Sequence, residues 1–595
     1  TVPSNVDPNG ISIVCSICQQ TIYLHHLFYH KKEHSALRCL GYSSPQTKTD
    51  NETLLARRQE LISNLTKLPR YSESHRQKID YSFEFLADKQ TYSSCCDMNN
   101  INNSSTIKNV KNSLIKALSI CQDKNATWQG NMEDRYIVLD NYGSRSDTCF
   151  LGLVDGYHGA SAAEAVSAEL PLLFLDQLAQ TDSSYKKSTE EQKILDSFST
   201  VITADYREKE KIFSDKQDNN KTRKPNTYKW IHKAYAKSFW RMDRLLQLGR
   251  NEVSKVRWSG CSVLTCLVER IHSEETDSTE ETKRQSLEKH RHSPLARTSK
   301  GVAGLLHIAN IGNIHAVLCK NGKAYRLSEE HSTSNTRERK RILQGGGKIS
   351  SNEPDGLVEG HLRTTRGLGH HGDPVLKRSV IPVPRTVSAP IDDSCQFLIL
   401  ASNGLWEALD YHEVHALTLK TFTHYLRLCG GIQQDGTSLQ KFLCLMSVSE
   451  EDLSDSKATN DQQDGTEILQ SNTDTFLATS EGKLARNEPR FSRSSYLHMD
   501  SKPFSDKTSS YTGQQLVETV LTAGSKPTPR SGEGTRVYLA RSDAHTAAEG
   551  RVPVARLYDE AAGYVSEHLV RAALAAGSRD NITVLIVLLN GCDKI

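Results

Sequence analysis

Two sets of residues in this chain have the types and spacings needed to hold a metal ion. The first is in CSICQQTIYLHHLFYHKKEH, where two residues separate Cys15 from Cys18, eleven separate Cys18 from His30, and three separate His30 from His34. Thiolates on a hairpin and two imidazoles one helical turn apart can close a tetrahedral zinc shell. Leu24 and Leu27 would supply the small core of such a module, expected over residues 11–40 as a separate C2H2-type, zinc-finger-like unit. His25 and His26 are spare imidazoles, so spacing alone leaves the ligand register open. The plainer reading is accidental spacing of ordinary surface residues.

The second set is scattered. Glu133 and Asp134 in NMEDRYIV, Asp155 in LGLVDG and Asp580 in GSRDNITVLIVLL all lie beside strongly apolar runs. A carboxylate there is costly unless it is partnered, and carboxylates gathered at strand ends are hard oxygen ligands for Mg2+ or Mn2+. Gly156 lacks a Cβ, so its carbonyl could also approach a cation. Singly, each acid is more simply a turn or cap residue; four in this order argue for a site. QFLILASNGLWEALD breaks the pattern, because its apolar run ends on an amide, Asn403.

These residues need elements to position them. Apolar runs of strand length recur at 136–142, 148–155, 259–269, 304–313, 315–321, 397–402 and 581–590. Helical spacing appears at 52–68, 160–179, 227–248 and 554–577. Strands outnumber helices and many are joined without a crossover, which predicts packed sheets with helices outside. Residues 41–114 read as a helical or disordered linker, with a loose connector from Tyr71 to about Asn112. Segments 180–226, 271–300 and 448–535 are charged or Ser/Thr/Asp/Gln-rich and read as mobile insertions, because such composition cannot recover its ordering entropy.

Bulk properties narrow the classes. The chain has 595 residues, 37% hydrophobic and 24% charged, with a net charge of +3. That balance is too small to make nucleic acid or an anionic membrane the main partner. No apolar run approaches the roughly 18 residues of a membrane helix, and no secretory leader is expected from TVPSNVDPNG. Fourteen cysteines, several inside apolar runs, read as reduced thiols, so an intracellular, cytoplasmic and/or nuclear protein is expected.

In motif order from NMEDRYIV through LGLVDGYHGASAAE, ANIGNIHAVL, LSEEHS, RTTRGLGHHGD and LASNGLWEAL to GSRDN, the chain resembles the type 2C metal-dependent protein serine/threonine phosphatases, and within them the protein phosphatase 2C-like group. The resemblance covers roughly residues 115–445 and 555–590. It implies an α+β fold, an α/β/β/α sandwich of two packed antiparallel sheets flanked by helices, over residues 115–592. It also implies two metals activating a bridging water that attacks a phosphoserine or phosphothreonine. By the same resemblance Glu133, Asp155, the Gly156 carbonyl and Asp580 match metal ligands, with Asp134 beside them.

Several matched positions depart from the family pattern. The phosphate-gripping arginine is Gln129, and the proposed general-acid histidine is Tyr157, with His158 displaced by one residue. A third-metal aspartate is Asn313, the aspartate closing another motif is His370, and the DG ligand is Asn403, while Glu407 stands where the family often has a further acid. Three carboxylates then face four positive charges if two dications bind. Loss of the arginine removes a charged contact of about 1.5–3 kcal/mol, and loss of a positioned general acid typically costs about 10²–10⁴ in rate. The expectation is a catalytically impaired pseudophosphatase, binding Mg2+ or Mn2+ weakly or not at all, Zn2+ in the N-terminal module, and phosphoproteins or other protein partners as a monomer. The alternatives are an active Mg2+/Mn2+-dependent phosphatase and a zinc-finger nucleic-acid-binding protein; the lone finger and near-neutral charge weigh against the last.

Overall fold

The computed structural model describes residues 12–42, 50–67, 73–88, 104–202, 228–247, 255–271, 301–350, 356–428, 469–470 and 554–595. The insertions expected at 271–300 and 448–535, and the part of 180–226 beyond residue 202, lie almost entirely outside the described residues.

A hairpin of β1 (Ser12–Val14) and β2 (Thr21–Tyr23) leads into α1 (Leu24–Cys39), followed by α2 (Asn51–Thr66) and α3 (Glu73–Ala87). The strands that follow are β3 (Thr106–Ile107), β4 (Ile115–Asp123), β5 (Arg135–Asp140) and β6 (Thr148–Tyr157). Helices α4 (Ser161–Thr181), α5 (Thr189–Ser197) and α6 (Lys229–Gln247) precede β7 (Gly260–Arg270), β8 (Gly304–Ile311), β9 (His315–Lys320) and β10 (Lys323–Arg326). After α7 (Thr336–Gln344) come β11 (Leu368–Gly369), β12 (Arg385–Ile391), β13 (Cys395–Ala401) and α8 (Tyr411–Leu428). The two-residue β14 (Leu469–Gln470), α9 (Val554–Ala575) and β15 (Ile582–Leu589) complete the order.

One sheet runs β10-β9-β13-β15-β4-β3 and the other β14-β12-β8-β7-β6-β5, with β11 on β7; the main ladders are antiparallel. Side-chain alternation along each strand explains the layering. In β15, Leu585, Val587 and Leu589 enter the core between the sheets, while Ile582, Val584, Ile586 and Leu588 face the helical layer of α8 and α9. In β7, Leu264, Cys266 and Val268 face the other sheet, and Val263 and Leu267 face α4 and α6. Helices therefore cover both outer faces, as the resemblance implies. Among the described residues, no helix is long and apolar enough to cross a membrane.

Three expectations need correction. The connector after Tyr71 contains α3, whose Ile79, Phe83 and Leu86 pack with Leu40, Leu54, Leu61 and Ile62 of the two preceding helices. Averaged polarity hid an apolar stripe at i, i+4 and i+7. The first part of 180–226 is not loose: a Ser188–Glu191 capping box starts α5, and Tyr185 and Leu195 enter the core beneath α4. The Cys/His unit is not separate. Ile13 and Leu27 share a core with Phe397, Val414, Leu417 and Leu569, because a 30-residue unit buries too little by itself and lends its apolar face to α8 and α9.

Truncation of Leu27 to Ala should therefore lower the stability of the whole two-sheet domain, by about 2–4 kcal/mol. Denaturant unfolding read by far-UV circular dichroism checks this; an unchanged main transition would mean that the N-terminal unit is independent.

Candidate metal and phosphate cleft

The acids converge where strands of the two sheets end. Asp155 lies near the end of β6 opposite Ser262, Glu133 and Asp134 immediately precede β5, and Asp580 precedes β15 by two residues. Asn403 follows β13, placed there because Ser402 N–H bonds to the Thr583 carbonyl at 3.0 Å across the ladder. Gly156 is required: a Cβ there would lie 2.6 Å from the Glu133 carbonyl and 3.2 Å from Ala163 Cβ. Two groups that sequence reasoning passed over fix this junction. Asn581 accepts from Glu133 N–H at 2.7 Å and donates to the Lys124 and Asn131 carbonyls, and Asn125 donates to the Ser578 and Asp580 carbonyls. Asn125 has a φ of 56°, a turn signature that the sequence leaves unmarked.

Asp134 and Asp155 are buried, at 2% and 5% exposure. Burial, with the charge of Asp580, pushes the Asp134 carboxyl up to about 7 against the Thr583 and Ser402 hydroxyls that hold it down. Burial, then the neighbouring Asp134 and Asp580, pushes Asp155 well above the usual carboxylate range. The group is short of positive charge.

Amides answer part of that shortage. Asn403 N–H donates to Asp155 Oδ2 at 2.8 Å, and Asn403 Nδ2 donates to Asp580 Oδ2 at 3.0 Å. A carboxylate only accepts, which fixes the direction of the next links. Asn403 Oδ1 accepts from Asn313 Nδ2 at 2.5 Å, and Asn313 Oδ1 lies 2.8 Å from His315 Nε2. Both oxygens that could have replaced lost carboxylates are thus turned into a hydrogen-bonded chain.

The remaining expected positions separate. Gln129 Nε2 donates to the Arg579 carbonyl at 2.9 Å, while the exposed Arg579 guanidinium lies 4.6 Å over the Trp128 ring. Glu407 accepts from Ser578 Oγ, Arg579 N–H and Asp580 N–H, and so shapes the turn. His370 stacks on Tyr157 at 4.9 Å and meets His158 edge-on at 5.4 Å. His158 and His370 both have left-handed backbones, with φ of 60° and 58°, which a non-glycine residue adopts only where surroundings impose it. Burial pushes the Tyr157 phenol upward, making it a poorer proton donor than an imidazolium.

Glu133, Asp155, the Gly156 carbonyl and Asp580 offer hard oxygens of the kind a divalent cation takes. Asn403 presents an N–H, not an oxygen, toward Asp580, so it adds no ligand on that side. At the other site, the donor atoms of Cys15, Cys18, His30 and His34 all lie within 4.8 Å of one another. Cys18 Sγ is 3.3 Å from His30 Nε2, and the His30 and His34 Nε2 atoms are 3.0 Å apart. Burial, then His34, pushes His30 down to about 4, so its imidazole is neutral and can ligate. His25 and His26 are exposed, with ring centroids 4.0 Å apart and planes tilted by 52°, outside this group.

Two packed antiparallel sheets with acids at one end define a protein phosphatase 2C domain, and the protein phosphatase 2C family model matches residues 246–435. The chain belongs to the protein phosphatase 2C-like domain-containing protein family. It is 42% identical over 597 residues to human protein phosphatase 2C-like domain-containing protein 1, covering 98% of this chain and 90% of the human protein. The mouse protein of the same name is 36% identical over 595 residues, with 98% and 89% covered. Protein phosphatase 2C homolog 1 of Saccharomyces cerevisiae is 26% identical over 293 residues, which is 49% of this chain and 78% of the yeast protein.

Replacing Asn403 by Asp exchanges a donor for a like charge beside Asp155 and Asp580. It should destabilise the metal-free chain by about 2–3 kcal/mol and make added Mn2+ raise the melting temperature more than in the unmodified chain. Thermal melts with and without Mn2+ check both effects.

Proposed function

We propose that this protein is a type 2C pseudophosphatase, which holds phosphorylated protein segments at its cleft and scarcely hydrolyses them. The observation that carries this reading is the Asn403 amide donating to Asp580, because a second bridging dication would need an oxygen there. The commitment of Gln129 to a backbone carbonyl and the stacked, half-buried ring at Tyr157 support it. One Mg2+ or Mn2+, weakly held by Glu133, Asp155, the Gly156 carbonyl and Asp580, would polarise a phosphate oxygen. This chain's own residues then bind and orient. Arg579, on the Trp128 face at the cleft mouth, is the cation a phosphate meets, and Gln129 is not free to join it.

The Cys15, Cys18, His30 and His34 group is proposed to take structural zinc, since its four donor atoms lie close enough together to close one shell. A nucleic-acid role is disfavoured, because the lysines of the helix a finger would insert into a groove are engaged within the protein. Lys31 pairs with Glu413, and Lys32 lies over the Tyr81 and Phe85 rings at 4.7 and 4.5 Å. Protein partners, a monomeric state and an intracellular location complete this reading.

The deciding assay measures phosphopeptide and aryl-phosphate hydrolysis with Mn2+, alongside phosphopeptide binding. The unmodified chain should bind without family-like turnover, and the combined Asn403→Asp, Gln129→Arg and Tyr157→His chain should gain activity by about 10²-fold or more. Ordinary turnover by the unmodified chain would establish the active-phosphatase reading instead. Metal analysis of purified protein should give one zinc per chain, lost when Cys18 is replaced by Ser.

A further inference from the structure

We propose that the Cys15/Cys18/His30/His34 centre is a brace for the cleft: with zinc bound, it holds the Asn403 and Asp580 segments in place through Glu413 and Phe28. This inference rests on the zinc reading above. It goes beyond that reading by assigning the metal an effect on a site formed by other segments of the chain.

Two separate connections run from the centre to the cleft. The first begins at residues interleaved with the ligands. Ser16, between the two cysteines, donates its N–H and its hydroxyl to Glu413 Oε1 at 3.0 and 3.2 Å. Lys31, beside His30, pairs with the other carboxylate oxygen. Glu413 is 1% exposed, so it depends on these donors, and removing them would leave a buried charge uncompensated. The same carboxylate accepts from Asp410 N–H at 3.0 Å. Asp410 ends the short segment that starts at Asn403 and contains Glu407, the residue gripping Ser578, Arg579 and Asp580.

The second connection is steric. Helix α9 ends in Gly577, with φ of 89°, and Ser578 N–H closes the turn on the Ala573 carbonyl at 3.1 Å. This is a left-handed helix stop that needs glycine. The Phe28 ring of α1 fills the space a side chain would take, since a Cβ at Gly577 would lie 2.4 Å from Phe28 Cδ2. Asp580 is three residues further on. The same helix carries His30 two residues after Phe28 and His34 six residues after it, so freeing those ligands also frees the ring.

The zinc-free centre brings together two thiols and two imidazoles with no cation to share. The hairpin and the start of α1 then relax, and the stays on both cleft segments go with them. Phe28 and Glu413 are positioning residues: they touch no metal and no phosphate.

Hydrogen–deuterium exchange on the full chain, with and without a zinc chelator, tests the proposal. Removal of zinc should raise exchange in peptides covering 403–410 and 573–581 by about tenfold, while β7 and β8 stay protected. If chelation unfolds the entire domain, the zinc-loaded Phe28→Ala chain decides: it should keep one zinc and show the same local loosening at 573–581. Bound zinc with unchanged exchange at both segments, or a zinc-loaded Phe28→Ala chain with unchanged exchange at 573–581, overturns the brace and leaves the zinc reading intact. Absence of bound zinc in the unmodified chain overturns both.

Discussion

Negative charge packed without enough positive charge is the constraint on which this structure depends. Asp134, Asp155 and Asp580 come together because strands of two sheets end at one place, and that junction is fixed by the sandwich itself. Such a group must protonate, take up a cation, or acquire donors. This chain has partly taken the third course. The backbone and side-chain N–H groups of Asn403 reach two of the acids, and Asn313 and His315 hold the amide in that orientation. The same change that eases the repulsion removes the oxygen a second ion would need.

The surroundings are built to keep this arrangement in register. Asn125 and Glu407 satisfy backbone groups of the turn around Asp580, and Asn581 ties that turn to the Glu133 and Lys124 backbone. These are buried or half-buried polar contacts whose loss leaves groups unpaired, which costs more than the contact itself supplies. These supports hold the strand ends, and so the acids, in one arrangement whether or not a ligand is bound.

Much of the fold could be read from the residues. The runs that became β6, β7, β8 and β15 are apolar on both faces because each has a sheet on one side and helices on the other. Strand β4 was harder to see: Lys116, Ser119 and Gln122 interrupt it, and their partners, Asp593, Ser566 and Thr583, lie more than 400 residues away. Helix α3 was obscured by the polar tract that follows it. At the cleft, the acids were legible from their strand-end positions, but the direction of the Asn403 amide was not, since it depends on Asp580 and Asn313 together. The contacts of Asn313, His370 and Glu407, with Asn403, Tyr157 and Ser578 respectively, were likewise not legible, because motif order says nothing of side-chain partners.

The ring stack beside the cleft carries an evolutionary consequence. Tyr157 and His370 occupy room that Gly367 and Gly260 leave open, since a Cβ on either glycine would come within 2.4 and 2.3 Å of those rings. Four positions on three separate stretches of chain have thus become interlocked. Restoring a smaller ring or an acid at one of them opens a void or strands a charge while the others stay as they are. A single substitution at any of these positions therefore disturbs the packing of the others, so change at this stack is tolerated only in concert.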